Sequence, residues 1–273
     1  MVNFENKERY GVYDLKKIIA ILRGPGGCPW DAEQTHESIR RNLLEEAYEA
    51  AEAIDNQDPE HLKEELGDVL MQVIFHADIE EKAGNFNLDD VADATVRKLI
   101  FRHPHVFGDT SVSGTGEVLD NWEQLKRREK QHGSTADVLA AVAKSLPALW
   151  RAEKLQKKAA KEAGFDWPDI SGALDKLKEE LSELTEAISG RGDAFEELGD
   201  VLFSVVNVAR FLKVDPEQAL SAACDKFTAR FRRLEETAES KGVKLEDLSL
   251  SEMDKLYEQA KEALKKDYGP KGV

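Results

Sequence analysis

The sequence predicts an all-α fold built as two tandem repeats of a helical bundle, and three observations carry that prediction. Apolar residues recur at three- and four-residue steps almost throughout, as in Leu43, Leu44, Ala47, Ala50, Ala51 and Ile54 and again in Leu174, Leu177, Leu181, Leu184 and Ile188. This is the spacing of one helix face, and strand-like alternation is scarce. Helix punctuation appears in both halves: Asp58-Pro59 and Asp215-Pro216 each read as an N-cap followed by proline in the first turn, while Gly84 and Gly242 read as stops. Most telling, one acidic pattern occurs twice. Glu45-Glu46-x-x-Glu49 followed by Glu65-x-x-Asp68 is repeated as Glu179-Glu180-x-x-Glu183 followed by Glu197-x-x-Asp200.

Glu46 and Glu180 are related by an offset of 134, Glu65 and Glu197 by one of 132, so the connection between the two acidic helices is two residues shorter in the second copy. In both copies the second pair lies in the string Glu-Leu-Gly-Asp-Val-Leu, which runs into apolar residues. A third helix follows, carrying Lys98 and Arg102 in the first copy and Lys226 and Arg230 in the second. A tryptophan, Trp30 or Trp167, precedes each first acidic helix; Trp122 and Trp150 have no such counterparts and read as core or interface aromatics. The segments 101–116 and 132–136 carry the Pro, Gly and Ser of loops or linkers. The boundary is therefore placed near His132, giving domains 1–132 and 133–273.

At 273 residues the chain is long enough for two domains with their own cores. Its 38 Lys and Arg against 54 Asp and Glu give a net charge of −16, which argues against an extended nucleic-acid-binding face. Cys28 and Cys224 have no paired spacing and read as two reduced packing thiols. No apolar run reaches the roughly 18 residues of a membrane span, and the charged amino terminus is unlike a signal peptide. The expected compartment is the cytosol, with no membrane partner.

Residues three or four apart share a helix face. Glu46 with Glu49, Glu65 with Asp68, and their counterparts in the second copy each present two carboxylates side by side, and antiparallel packing of the two helices would bring four to one seam. A single acidic run in so acidic a chain is ordinarily a solvated face, the reading given to Glu52, Glu64, Glu80 and Glu186. The ordered pairing of both motifs, twice, beside an apolar helix face points instead to a bound cation, because carboxylates beside a buried surface need a partner. The last histidine is His132, so the second copy offers oxygen ligands. Oxygen sets select hard cations, Mg²⁺ or Mn²⁺. A di-iron reading needs Glu-x-x-His motifs beside the acids, and the second copy contains no histidine. Such a site suits a phosphate substrate, which the basic pair one turn apart, Lys226 and Arg230, could neutralise. Gly24-Pro25-Gly26-Gly27 lacks the Gly-Lys-Ser/Thr of a phosphate loop and reads as a turn. His103-Pro104-His105 reads as a capped loop.

The doubled acidic pattern, together with Gly27-Cys28-Pro29-Trp30-Asp31, Arg102-His103-Pro104-His105-Val106-Phe107-Gly108, Asn121-Trp122-Glu123 and Gly164-Phe165-Asp166-Trp167, resembles the MazG family of nucleoside triphosphate pyrophosphohydrolases. The resemblance spans nearly the whole chain and is of the full-length, two-domain bacterial type. It implies a helical enzyme that cleaves nucleoside triphosphates to monophosphate and pyrophosphate. By that resemblance Glu180, Glu183, Glu197 and Asp200 are metal ligands of a C-terminal site, and Lys176, Glu179 and Glu196 lie beside the nucleotide. Lys226 and Arg230 would hold its phosphates. Tyr257, with Lys261 one turn on, stands where relatives place a tryptophan against the base. Glu46, Glu49, Glu65, Asp68, Lys98 and Arg102 are the N-terminal counterparts.

The expected reaction is Mg²⁺-assisted hydrolysis at the α,β-phosphoanhydride, with Glu179 or Glu180 as general base toward the attacking water. Loose base recognition implies broad use of NTPs and dNTPs, in keeping with house-cleaning of the nucleotide pool, and a homodimer is expected. The alternatives are a narrower pyrophosphohydrolase acting on dUTP, dCTP or phosphoribosyl-ATP, and a non-catalytic helical interaction module.

Overall fold

The computed structural model describes residues 4–118, 121, 122, 125 and 133–267; these contain helices and no strand. The chain divides into two compact units, 1–130 and 131–273. The boundary expected at His132 falls outside the described residues.

The first unit contains α1 (Val12–Leu22), α2 (Pro29–Glu33), α3 (His36–Asp55), α4 (Pro59–Ala83), α5 (Leu88–Arg102) and α6 (Pro104–Phe107). Its centre is the antiparallel hairpin of α3 and α4, joined by a three-residue turn, with α1 packed on α4. The ends are set by local chemistry. The Asp58 carboxylate accepts from the N–H groups of Glu60 and His61, both at 3.1 Å, and Pro59 occupies the position whose missing N–H costs nothing. Gly84 ends α4 in the left-handed region, φ +79°. Ile19, Ile39, Ile74 and Phe75 form the buried core, with Leu22, Leu70 and Met71 around it. Between α1 and α2 the chain turns through residues 24–27. A Cβ at Gly27 would stand 2.3 Å from the carbonyl oxygens of Ile21 and Leu22, so glycine is what lets the chain fold back and the Cys28 N–H reach the Leu22 carbonyl at 2.8 Å.

The second unit contains α7 (Thr135–Ala140), α8 (Ala148–Ala163), α9 (Ile170–Ile188), α10 (Ala194–Leu212), α11 (Pro216–Ser240), a 3₁₀ turn (Leu245–Asp247) and α12 (Leu250–Asp267). Here α9 and α10 form the antiparallel hairpin, α8 packs on α10, and α11 makes its main packing against α12. That last pair has its own core of Leu234, Ala238 and Leu256. Asp215 caps α11 as Asp58 caps α4, accepting from Glu217 N–H at 2.9 Å and Gln218 N–H at 3.1 Å, and also receives the Trp150 indole N–H at 2.9 Å.

Several expectations need correction. Phe101 and Arg102 end α5 and Pro104–Phe107 is a helical turn, because proline suits a first helical position as well as a loop. Thr135 and Ala136 begin α7, since Ser134 and Asp137 exchange capping bonds: the Ser134 hydroxyl accepts from Asp137 N–H at 3.1 Å, and the Asp137 carboxylate from Ser134 N–H at 3.0 Å. Cys224 is exposed rather than packed. Glu80 is not a solvated acid; it contacts His36 Nε2 at 2.6 Å and accepts from the Asn85 amide at 2.7 Å.

Candidate active site

Both hairpins gather their acids. In the first unit carboxylate oxygens of Glu46 and Glu49, from α3, and Glu65, from α4, lie within 4.8 Å of one another; in the second unit Glu180 and Glu183, from α9, and Glu197, from α10, do the same. The i, i+3 spacing puts each first-helix pair on one face, and antiparallel packing turns that face onto the next helix. Asp68 and Asp200, the expected fourth ligands, stand outside these tight groups. Their charge is nonetheless felt: burial first, then Asp68, Glu49 and Glu65 raise the pKa of Glu46, and burial, Glu180 and Asp200 raise that of Glu197. Glu183 is likewise raised, by burial and by Glu180.

Two of the clustered acids are nearly inaccessible, Glu65 at 7 % and Glu180 at 5 % exposure. Each has one cationic or potentially cationic neighbour. Lys176, one turn before Glu180 on α9, reaches Glu179 at 2.7 Å and Glu180 at 2.8 Å, and these two hydrogen bonds raise its own pKa. Glu65 is met at 3.0 Å by His61 Nε2, a contact that sequence reading missed although His61 stands at the i, i+4 distance that would have found it. Glu196 is exposed beside Glu197. Glu179 and Asp200 are also exposed.

The basic residues are arranged differently. Arg230 stands over the Tyr257 ring, 5.9 Å from its centroid, and Phe227 packs on the same ring at 5.9 Å. Lys261 pairs with Glu258 at 3.0 Å. These residues belong to α11 and α12, and among the described residues no ion pair joins Lys226 or Arg230 to the acids of α9 and α10. Lys98 is exposed on α5, and Arg102 is partly buried at its end.

A second pairing escaped the sequence reading. In the first unit Arg23, after α1, binds Asp78 of α4 through Nε at 2.7 Å; in the second, Asp166, after α8, binds Arg210 of α10, with Nη1 to Oδ2 at 2.9 Å. Asp78 and Arg210 are equivalent positions, 132 residues apart. The same loop-to-helix tie is thus kept with its charges exchanged.

A family model, the MazG nucleotide pyrophosphohydrolase domain, matches residues 34–107 and 170–234, which contain the two acidic hairpins and the helices after them. The chain belongs to the MazG nucleotide pyrophosphohydrolase family. The nucleoside triphosphate pyrophosphohydrolase/pyrophosphatase MazG of Thermotoga maritima is 46% identical over 248 residues, 91% of this chain and 94% of that protein. The nucleoside triphosphate pyrophosphohydrolase of Escherichia coli K12 is 40% identical over 252 residues, 90% of this chain and 95% of that protein. An uncharacterized Bacillus subtilis protein, YabN, is 50% identical over 250 residues, 91% of this chain and 51% of that protein. The family assignment accounts for the tandem repeat of helical domains, each matched once by the MazG model.

Proposed function

We propose that the chain hydrolyses nucleoside triphosphates, NTPs and dNTPs broadly, to the monophosphate and pyrophosphate with Mg²⁺ or Mn²⁺ bound at the acidic clusters. One observation carries the reading: three carboxylates within 4.8 Å on facing helices, in each unit of a nucleotide pyrophosphohydrolase. This donor set suits a hard divalent cation, since each cluster offers three carboxylate oxygens within 4.8 Å of one another, and burial first, then the neighbouring carboxylates, raise the pKa values of Glu46, Glu183 and Glu197. When bound, such a cation screens the charge of the phosphates and polarises them.

The chain's own groups divide the remaining work. Glu180, Glu183 and Glu197 would hold the cation in the second unit, with Asp200 at the open side, and Glu46, Glu49, Glu65 and Asp68 in the first. Glu179 lies outside the tight cluster, exposed and hydrogen-bonded by Lys176, and is the candidate general base; Glu180, buried within the cluster, is the better ligand. Lys176 would exchange these carboxylates for phosphate oxygens when nucleotide arrives. Lys226 and Arg230 would hold phosphates, and the same roles fall to Lys98 and Arg102 in the first unit.

A homodimer supports this arrangement. The stripe of Leu174, Leu181 and Ile188 on α9 and of Leu198, Leu202 and Val205 on α10 is exposed by 38 to 74 % in the single chain, and a second copy would cover it. The physiological substrate would be the cytosolic nucleotide pool. Incubation with the eight common NTPs and dNTPs plus Mg²⁺ should release pyrophosphate rather than orthophosphate, and excess EDTA should abolish it. Light scattering should give twice the chain mass. Orthophosphate as the product, or full activity in EDTA, would overturn the proposal.

A further inference from the structure

The two hairpins also differ at the end away from their acids. Where α9 and α10 carry Ile170, Val208 and Leu212, the equivalent positions of α3 and α4, offset by 134 and 132, are His36, His76 and Glu80. The two imidazole rings lie nearly parallel, with 9° between their planes and 5.0 Å between centroids, and their Nδ1 atoms stand 2.7 Å apart. On the other side of the His36 ring, Nε2 meets Glu80 Oε1 at 2.6 Å, and the second Glu80 oxygen accepts from the Asn85 amide at 2.7 Å. His76 Nε2 is buried and has no partner among the described residues. His36 stands ten residues before Glu46 and His76 eight residues after Asp68, about 12–15 Å of helix, so this chain of contacts is separate from the acidic cluster.

The contacts fix where the protons sit. Asn85 and His36 hold the Glu80 carboxyl below its usual range, so it is ionised at neutral pH and can only accept. His36 therefore carries its proton on Nε2 and presents a bare Nδ1, to which His76 Nδ1–H donates. That leaves the buried His76 Nε2 without a proton, the form that hides no unpaired N–H. A further proton has no satisfactory place. On His36 Nδ1 it would face the His76 proton; moving the latter to Nε2, or protonating Nε2 directly, buries an N–H with no acceptor, which costs more than the partly exposed pair of His36 with Glu80 returns. Burial first, and then His36, accordingly lower the pKa of His76.

The other charged groups of the packed elements are engaged elsewhere or face water. On α1 and just after it, Lys16 pairs with Glu81 and Arg23 with Asp78, which also holds Lys82. On α5, Asp89 accepts from the Tyr13 hydroxyl and Asp90 from the Asn87 N–H. Glu33 on α2 and Glu37 on α3 are exposed, and Asp31 on α2 makes no ion pair among the described residues. His36 is the first residue of α3, and the segment before it is held from the other side by Arg23, whose Nη1 donates to the Asp31 carbonyl at 2.5 Å.

We propose that His36 and His76 form a pH-sensitive latch in the first unit: closed while both rings are neutral, it pins the start of α3 and the segment 28–35 before it to the end of α4, and protonation releases them. Because the folded pKa of His76 lies below its ordinary value of about 6.5, the stability the latch supplies is fully present above that value and is lost as pH falls through it towards the folded pKa. The second unit, with Ile170 and Val208 at these positions, has no such response. The latch is independent of the reaction assigned to the acids.

Hydrogen exchange of the whole chain, read by mass spectrometry as protection factors corrected for the intrinsic rate at each pH, tests the latch. A ring that takes its proton only in the open form raises the opening equilibrium about tenfold between about pH 7.5 and 5.5. Peptides spanning 28–40 should therefore lose about tenfold in protection or more, while those spanning 163–174 in the second unit stay within about threefold. The double variant His36→Ile with His76→Val, which installs the residues of the second unit, should remove the difference. Should it fail to fold, ring ¹⁵N spectra of the wild type, assigned with His36→Gln and His76→Gln, carry the test: at about pH 8 His76 should hold its proton on Nδ1 and His36 on Nε2. Equal pH responses of the two segments in wild type overturn the proposal, as do a pH step that survives in the folded double variant and a His76 proton found on Nε2.

Discussion

The two acidic hairpins carry the same acids at the same helix positions, yet they bury different ones. Within the first cluster the inaccessible acid is Glu65 on the second helix, met by His61; within the second it is Glu180 on the first helix, met by Lys176. The position equivalent to Lys176 is Asn42, and that equivalent to His61 is Asp193, which caps α10 by accepting from Phe195 N–H at 2.9 Å. A repeated acid pattern thus reproduces the cluster of carboxylates without reproducing its charge environment. An ammonium offers three donors and a permanent charge to incoming phosphate, whereas an imidazole is charged only when protonated. On that difference the second unit is expected to carry more of the turnover.

The sharpest way to break this comparison is to disable one cluster at a time. Glu180→Gln should lower kcat for pyrophosphate release by about 10²–10⁴-fold, and Glu46→Gln by less than about tenfold. Equal losses would show that the units work jointly or equivalently.

The charge-exchanged ties provide the next contrast. Arg23 and Asp78 have side chains only 6 and 8 % exposed, against 12 % for Arg210 and 30 % for Asp166. Asp78→Ala strands a buried guanidinium and should cost about 3–5 kcal/mol in urea unfolding; Asp166→Ala should cost about 1 kcal/mol, because water can approach. A reversed order would mean that burial does not set the value of this tie.

Metal linkage separates the clusters thermodynamically. Saturating Mg²⁺ at about a hundred times its Kd should stabilise wild type by about 2.7 kcal/mol per site. Calorimetry should show one increment lost in Asp200→Asn and the other in Asp68→Asn. A full Mg²⁺ response in either variant would make that aspartate a structural acid rather than a ligand.

The smallest effect is electrostatic. Glu197 has a raised folded pKa through burial and then Glu180 and Asp200, so the folded state binds its proton more readily than the unfolded chain. Ionised Glu197 therefore opposes folding above its folded pKa, and stability at this position increases as pH falls through that pKa. In EDTA at neutral pH, Glu197→Gln should melt roughly 1–3 °C above wild type. The gain should vanish below about pH 4, where the acid is protonated in both states. A variant that melts lower at neutral pH would mean that Glu197 has a protein partner.

Much of the architecture was legible because it is written in local rules. The 3.6-residue periodicity, the Asp-Pro caps at 58–59 and 215–216 and the stop at Gly84 are decided within a few residues, and so is which acids share a face. The segments misread as loops failed on the same scale, where proline at position 104 and serine at position 134 begin helices as readily as they interrupt them. The candidate site was legible only in part. The repeat announced Glu46, Glu49, Glu65, Glu180, Glu183 and Glu197, whereas spacing alone does not bring Lys226 or Arg230 to them, and among the described residues no ion pair joins either to the acids of α9 and α10.

The sequence by itself determined an all-α chain with two copies of one acidic hairpin, because helix formation and facial clustering depend on spacings of three and four residues. Only the tertiary structure decided which acid of each cluster is buried, that His61 and Lys176 are their neighbours, and that Arg23–Asp78 and Asp166–Arg210 are one tie with exchanged charges. These depend on contacts between residues tens of positions apart, where burial and the partner's charge, rather than the residue type, fix what a side chain can do.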